Sequence, residues 1–202
     1  MVRATHTPML ERRAVQLAWA TIAWNVVEAV IAIAAGAAAN SIALVGFGLD
    51  STVEVMSAVV IVWQFRGLAE ERERKALKLI AISFVGLAAY VAVQAIIDLA
   101  SKSEPESSPV GIGLAIASLA FMPLLARAKR RAGRAMGSVT VVADSNQTKL
   151  CAYLSAILLG GLVLNATVSW WWADPIAGLA IAALAVNEGR EAWRGETCDD
   201  CR

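Results

Sequence analysis

Two acidic residues lie four positions apart inside a largely apolar stretch of the sequence. The stretch runs from Ile42 to Trp63 and contains Asp50 and Glu54. On a helix, residues four apart share a face, so the two carboxylates would lie about one turn apart on the same side. Two like charges in an apolar environment need a compensating cation, a proton or water. The pair therefore predicts a cation site, and the alternative is a structural network with polar groups of adjacent helices.

The composition indicates what surrounds this pair. The chain has 202 residues, is 58% hydrophobic, and carries its charges in short clusters between long uncharged runs. A helix needs about 20 apolar residues to cross roughly 30 Å of hydrocarbon. The sequence therefore predicts an all-α, multi-pass integral membrane protein, with six transmembrane helices at 14–39, 42–65, 76–100, 109–126, 138–168 and 170–188. The first run is too long for the apolar core of a secretory signal.

The distribution of cations predicts the orientation. Sixteen of the eighteen Lys and Arg residues fall in four segments, namely the N-terminal arm, 66–78, 127–134 and the part of the chain that follows the sixth apolar run, 189–202. Six crossings put these four segments on one side, so both termini should be cytoplasmic. We interpret the basic run at 127–134 as a loop on that side rather than as a site for nucleic acid or anionic lipid, and expect no nucleic-acid partner.

The chain is accordingly divided into three parts. Residues 1–13 form a cytoplasmic arm, 14–194 a transmembrane domain, and 195–202 a short cytoplasmic tail. The expected location is the plasma membrane of a prokaryote, and the surrounding partner is the lipid bilayer.

The fifth predicted helix carries a second set of potential ligands. Asp144, Gln147 and Cys151 are spaced three and then four apart, and therefore share one helical stripe. Carboxylate, amide oxygen and thiolate are all donors to metal ions. This stripe should face the second helix at a similar depth in the membrane. The two helices together would then form a four-ligand cage of Asp50, Glu54, Gln147 and Cys151, with Asp144 one turn away. The alternative for Cys151 is a buried cysteine acting as a small apolar residue.

The remaining polar residues are weaker candidates for metal ligands. Asn25 and Glu28, three apart on the first helix, are expected to line the bundle interior or the path of the ion. Lys149 should point away from the cage, as a salt-bridge partner or a cation reaching toward the membrane surface. Cys198 and Cys201 flank two aspartates in the tail. A reducing compartment disfavours a disulfide there, so they are either a weak metal site or a tail of no special role.

These motifs resemble those of the cation diffusion facilitator family. SIALVGFGLDSTVE, from Ser41, resembles the second-helix motif, in which two metal-binding residues lie four apart. ADSNQTKLC, from Ala143, is similar to the fifth-helix motif, and DPIAGLAIA, from Asp174, to the start of the sixth helix. The resemblance implies a six-helix transporter domain, usually dimeric, that exchanges divalent metal for protons. It also makes Asp174 a candidate for the surroundings of the site or the ion pathway.

The sequence departs from the family pattern at the ligand positions. The family commonly has His or Asp at the first position of each motif and Asp at the second, whereas this chain has Asp50, Glu54, Gln147 and Cys151. The single histidine, His6, lies in the arm. The usual cytoplasmic ferredoxin-like domain is not recognisable, so the chain resembles the short branch without it. A site with a thiolate and no imidazole favours zinc, with cadmium, iron, cobalt and manganese as other candidates.

These observations predict a divalent metal transporter that works by metal-for-proton exchange. Two carboxylates neutralise a divalent ion, and the same oxygens take up protons when the ion leaves. No enzymatic activity and no tightly bound cofactor are expected. Two alternatives remain, a non-transporting membrane scaffold or assembly partner and a transporter of small organic cations. A homodimer is expected, joined through small residues of the first helix or through the Gly111, Gly113 and Ala117 side of the fourth.

Overall fold

The computed structural model describes residues 8–64 and 70–194. These residues form six helices and no strand: α1 (Pro8–Ala39), α2 (Ile42–Gln64), α3 (Glu70–Ser101), α4 (Pro109–Met136), α5 (Val139–Val168) and α6 (Ala173–Arg194). The predicted all-α bundle of six helices is confirmed. The side of the membrane on which the termini lie stays a prediction.

Charged segments that the sequence analysis treated as loops are partly or wholly helical. α4 continues through 127–134, α3 begins at Glu70, and α1 begins at Pro8 within the predicted arm. Arg, Lys and Glu are good helix formers, so a helix can leave the hydrocarbon layer without ending. The apolar run therefore marks the part of each helix that crosses the membrane, and the helix itself is longer.

A two-residue connection joins α4 to α5. Gly137 adopts φ 62°, and its N–H donates to the carbonyl of Arg134. The next N–H, of Ser138, donates to the carbonyl of Gly133. Glycine adopts this left-handed conformation without steric cost, which ends α4 sharply. The Ser138 side chain then caps the first turn of α5. This tight turn holds α4 and α5 side by side, which matters for the site described below.

α2 is the central helix of the bundle. It contacts α1, α3, α5 and α6. One apolar cluster, which includes Phe47 and Met122, fills the space among α1, α2, α4, α5 and α6. A second, which includes Phe84 and Val91, lies among α2, α3 and α6. A polar residue on α2 can therefore meet side chains from most of the other helices.

Small residues bring α1 and α2 into close contact. A Cβ atom placed on Gly36 would lie 2.8 Å from the backbone nitrogen of Val45, and one on Gly48 would lie 2.8 Å from Cγ1 of Ile33. Gly111, a candidate dimer contact, instead packs inside the chain against Leu44. The homodimer stays a prediction.

The distribution of polarity is the inverse of that in a water-soluble protein. Val30, Ile82 and Leu124 are each more than half exposed, whereas carboxylates and one lysine are fully buried. Among the described residues, α1 to α5 are each long and apolar enough to cross a membrane, and α6 packs against α2, α3 and α5. Exposed apolar side chains around a polar interior are what lipid surroundings require. The chain is a multi-pass integral membrane protein.

Candidate cation site

Four helices that pack against one another contribute ionisable and hydroxyl side chains to one buried region. We call this set the polar cluster, and each of its side chains is at most 8% exposed. Its members are Glu28 on α1, Asp50, Ser51 and Glu54 on α2, Lys129 on α4, and Asp144, Thr148 and Cys151 on α5. Burial of so many ionisable groups is costly, so their mutual arrangement determines what the region can do.

Glu28 connects three helices. Its Oε2 atom accepts a hydrogen bond from the Ser51 hydroxyl at 2.9 Å, and its Oε1 accepts one from the Trp24 indole at 3.2 Å. The Cys151 sulfur lies 3.9 Å from the same Oε2. Glu28 was predicted from the sequence to line the bundle interior or the path of the ion. The structure brings it to the cysteine of the predicted cage, so a carboxylate and a thiol are adjacent.

Lys129 lies inside the bundle. Its Nζ atom is 2.7 Å from Asp144 Oδ2 and donates to the Thr148 hydroxyl at 2.8 Å. The Thr148 hydroxyl in turn donates to Glu54 Oε1 at 2.6 Å. The basic side chain of α4 therefore neutralises one acid directly and acts on a second through a hydroxyl group. This chain of polar contacts joins α4, α5 and α2.

Asp50 is the carboxylate of the cluster that lacks a partner. It is 8% exposed, and no described residue donates a hydrogen bond to it or forms an ion pair with it. The charged groups that act on it are acidic, namely Glu54, Glu188 and Glu28. A buried carboxylate among other acids is stabilised strongly by any cation or proton that arrives. Asp50 is accordingly the position at which the binding of a positive charge is most favourable.

Several oxygen atoms in this region are free to coordinate an ion. Glu54 Oε2, Asp144 Oδ1 and Asn25 Oδ1 are buried and accept no hydrogen bond from the part of the chain that the structure describes. Carboxylate and amide oxygens are suitable ligands for divalent cations. Within 8–64 and 70–194, however, no three His, Cys, Asp or Glu side chains converge to form a closed metal site. The cluster thus supplies ligand atoms that would have to move closer together to coordinate an ion.

The predicted cage residues differ in where they lie. Asp50, Glu54 and Cys151 are buried in the polar cluster, as is Asp144, which is paired with Lys129. Gln147 is half-buried, and its side-chain nitrogen has no partner among the described residues. The four-ligand cage as a unit stays a prediction.

Asp174 binds the start of α2, and within the described residues it has no hydrogen bond or ion pair with the polar cluster. It accepts hydrogen bonds from the Ser41 hydroxyl at 2.5 Å and from the Ala43 N–H at 3.4 Å. It thereby joins the start of α6 to the start of α2, about two turns before Asp50. The predicted tail site, Cys198 with Cys201, lies outside the described residues.

Lys129, Thr148 and Ser51 belong to the cluster although they were not among the residues predicted from the sequence. A signal for Lys129 was present, because the buried residues of α4 recur with helical spacing: Met122, Leu125, Ala126, Lys129, Ala132, Gly133 and Met136. Lys129 falls on this apolar face, whereas Arg127 and Arg131 fall on the exposed one. Lys149 is an exposed residue of α5 outside the polar cluster, and its Nζ lies 5.6 Å from the ring of Tyr153; its part as a salt-bridge partner or a cation reaching toward the membrane surface stays a prediction.

The fold and the cluster together define a class, that of helical membrane proteins with an acidic, cation-attracting interior. The family model described as the cation efflux transmembrane domain matches residues 77–194, which include most of α3 and all of α4 to α6. The chain belongs to this cation efflux family, as its motifs indicated. The matched region contains Lys129, Asp144 and Cys151, and the acids of α2 lie before it.

Three curated relatives are similar over different parts of the chain. Transmembrane protein 163 of Xenopus laevis is 24% identical over 183 residues, covering 88% of this chain and 65% of that protein. The cation-efflux pump FieF of Shewanella oneidensis is 32% identical over 95 residues, covering 47% of this chain and 31% of the pump. An uncharacterized transporter of Synechocystis is 25% identical over 166 residues, covering 77% and 54%. The chain spans less than two thirds of the length of each.

Proposed function

We propose that the protein transports divalent metal cations, zinc foremost, across the membrane in exchange for protons. The observation that carries the proposal is the buried pair of Asp50 and Glu54 on the central helix, in which Asp50 has no basic partner among the described residues. Membership in the cation efflux family supports transport as the activity. The name of the pump from Shewanella oneidensis, which describes cation efflux, points the same way.

The chemistry of the pair favours exchange. Two ionised carboxylates neutralise a divalent ion, so the loaded site carries little net charge in a medium of low dielectric constant. When the ion leaves, protons restore neutrality on the same oxygens. Metal and proton therefore compete for one site, and alternating access to the two sides of the membrane couples their movements. Cys151, buried near Glu28, adds a soft donor that favours zinc and cadmium over manganese.

Uptake into proteoliposomes tests this function. Vesicles that contain the purified full chain and a metal-sensitive dye are given zinc, cadmium, iron, cobalt or manganese under an imposed pH gradient. We expect zinc uptake that depends on the gradient and is lost in Asp50→Asn. Asp98→Asn is the matched control, because Asp98 is a partly exposed acid on α3 that pairs with Gln94.

The same assay separates the proposal from its alternatives. Uptake of an organic amine, and not of metal, would favour the organic-cation transporter. Absence of flux with every substrate, from protein shown to be folded, would favour the non-transporting scaffold. Equal zinc flux in Asp50→Asn and in the unmodified protein would remove the acid pair from the mechanism.

A further inference from the structure

Among the four lysines whose side chains the structure describes, the one on α4 differs from the rest because it is buried. Lys129 is 1% exposed, whereas Lys78, Lys102 and Lys149 are all exposed. An ammonium group in a protein interior is tolerated only with close, hydrogen-bonded counter-charges. A helix that leaves the membrane with arginines on its exposed face has no packing need for a lysine on its buried face. The burial of Lys129 beside Asp144 and Thr148 therefore points to a role in the cation site.

Lys129 acts on both halves of the polar cluster. Its 2.7 Å contact with Asp144 occupies one carboxylate oxygen of α5. Its hydrogen bond to Thr148 orients that hydroxyl toward Glu54, and its charge also acts on Glu54 through space. A divalent ion bound at Glu54 would lie close to this ammonium and be repelled by it. The ammonium and the transported ion are thus competitors for the same negative charge.

We propose that Lys129 is a resident counter-cation, which together with the protons taken up on ion release offsets the charge of Glu54 in the empty site and lowers the affinity of the site for the transported ion. This inference rests on the proposed transport function. When a metal ion binds Glu54, the carboxylate exchanges its hydrogen bond from Thr148 for the ion, and Lys129 stays with Asp144. When the ion leaves, Thr148 and Lys129 interact with Glu54 again. The positive charge of Lys129 weakens metal binding enough for the ion to be released. Asp144 holds the lysine side chain in position.

Charge-changing variants of the pair test this role. Zinc binding to the purified full chain in nanodiscs is measured by competition with a chromogenic chelator. Lys129→Gln leaves one more negative charge in the cluster, so we expect its zinc dissociation constant to fall about tenfold or more. Zinc release from this variant into chelator should be correspondingly slower. Asp144→Asn leaves the lysine unpaired and should raise the dissociation constant by a similar factor.

Three further variants separate a charge effect from a structural one. The double variant Lys129→Gln with Asp144→Asn restores the net charge and should bind zinc within about threefold of the unmodified protein. Lys129→Arg keeps the charge and should behave likewise. Lys149→Gln removes an exposed lysine of α5 and should have no effect. If Lys129→Gln does not fold, the role of Lys129 is still tested by comparing the zinc dissociation constants of Asp144→Asn and the double variant.

The outcomes that would overturn the inference are distinct from those that concern transport. Zinc binding by the unmodified protein together with unchanged or weaker binding by Lys129→Gln would refute the counter-cation role alone. Failure of the double variant to recover from the weak binding of Asp144→Asn would make Asp144 a direct ligand and refute the role as well. If the unmodified protein binds no divalent metal, the proposed function fails, and this inference fails with it.

Discussion

Asp174 and Asp50, two of the three buried aspartates among the described residues, should respond to substitution in opposite ways. Asp174 accepts hydrogen bonds from the Ser41 hydroxyl and the Ala43 N–H at the start of α2. Asp174→Ala removes both acceptors and leaves the two donors buried without partners. We therefore expect a less stable protein whose cation site is chemically intact.

The size of the effect follows from these contacts. A hydrogen bond to a charged group contributes about 1.5–3 kcal/mol, and the longer of the two contacts, 3.4 Å, contributes least. A loss of about 3 kcal/mol is expected, which for a chain of this size corresponds to a fall in Tm of roughly 6–12 °C. Asp174→Asn keeps an oxygen acceptor and should lose about half as much.

Asp50→Asn should show the reverse pattern. Asp50 has no partner to lose among the described residues, and the charges that act on it are repulsive. Its neutralisation should leave Tm unchanged or raise it, while zinc transport is abolished. Thermal unfolding in detergent, followed by the intrinsic fluorescence of the tryptophans, gives Tm, and zinc flux per folded molecule gives activity. A stable Asp174→Ala that fails to transport would refute the division of roles, because Asp174 would then belong to the ion path.

Three further predictions concern metal choice, packing and assembly. Cys151→Asp removes the thiolate and should weaken cadmium relative to manganese in competitive flux measurements, whereas an unchanged ranking would show that the sulfur does not contact the ion. Gly48→Ala places a methyl group 2.8 Å from Ile33 and should lower stability by about 1–3 kcal/mol; Gly86→Ala, whose Cβ meets nothing within 4 Å, is the matched control and should be neutral or stabilising. Mass measurement in nanodiscs should give a homodimer, and a monomer with full flux would exclude a dimer requirement.

Much of the fold was predictable because the bilayer imposes strong constraints on sequence. Six apolar runs gave six helices, and the positions of Asp50, Glu54 and Cys151 in the interior followed from buried polarity and helical spacing. The ends of the helices were less predictable, since a basic segment such as 127–134 can be helical beyond the hydrocarbon layer. Charge alone does not distinguish a loop from the end of a helix.

The contacts within the site were less predictable than its location. Spacing along one helix places Asp144 and Cys151 on a shared stripe, but the partner of each depends on how α4 and α1 pack against α5. Lys129 was assigned to a surface loop because its neighbours are arginines, yet the periodicity of α4 places it inside. The pairing of Glu28 with Cys151 similarly requires the tertiary arrangement, since the two residues are 123 positions apart.

Protection of Asp50 from chemical modification shows directly whether a divalent cation binds at this residue inside the bundle. A hydrophobic carbodiimide modifies buried carboxyl groups, and mass spectrometry of the digested protein gives the extent of labelling at Asp50 and, as a reference, at Asp98. If Asp50 binds the transported ion, zinc should protect Asp50 from labelling in a concentration-dependent manner and leave Asp98 labelled. Organic amines should not protect Asp50. Labelling of Asp50 that zinc does not change, in protein shown to be folded, would contradict the central claim.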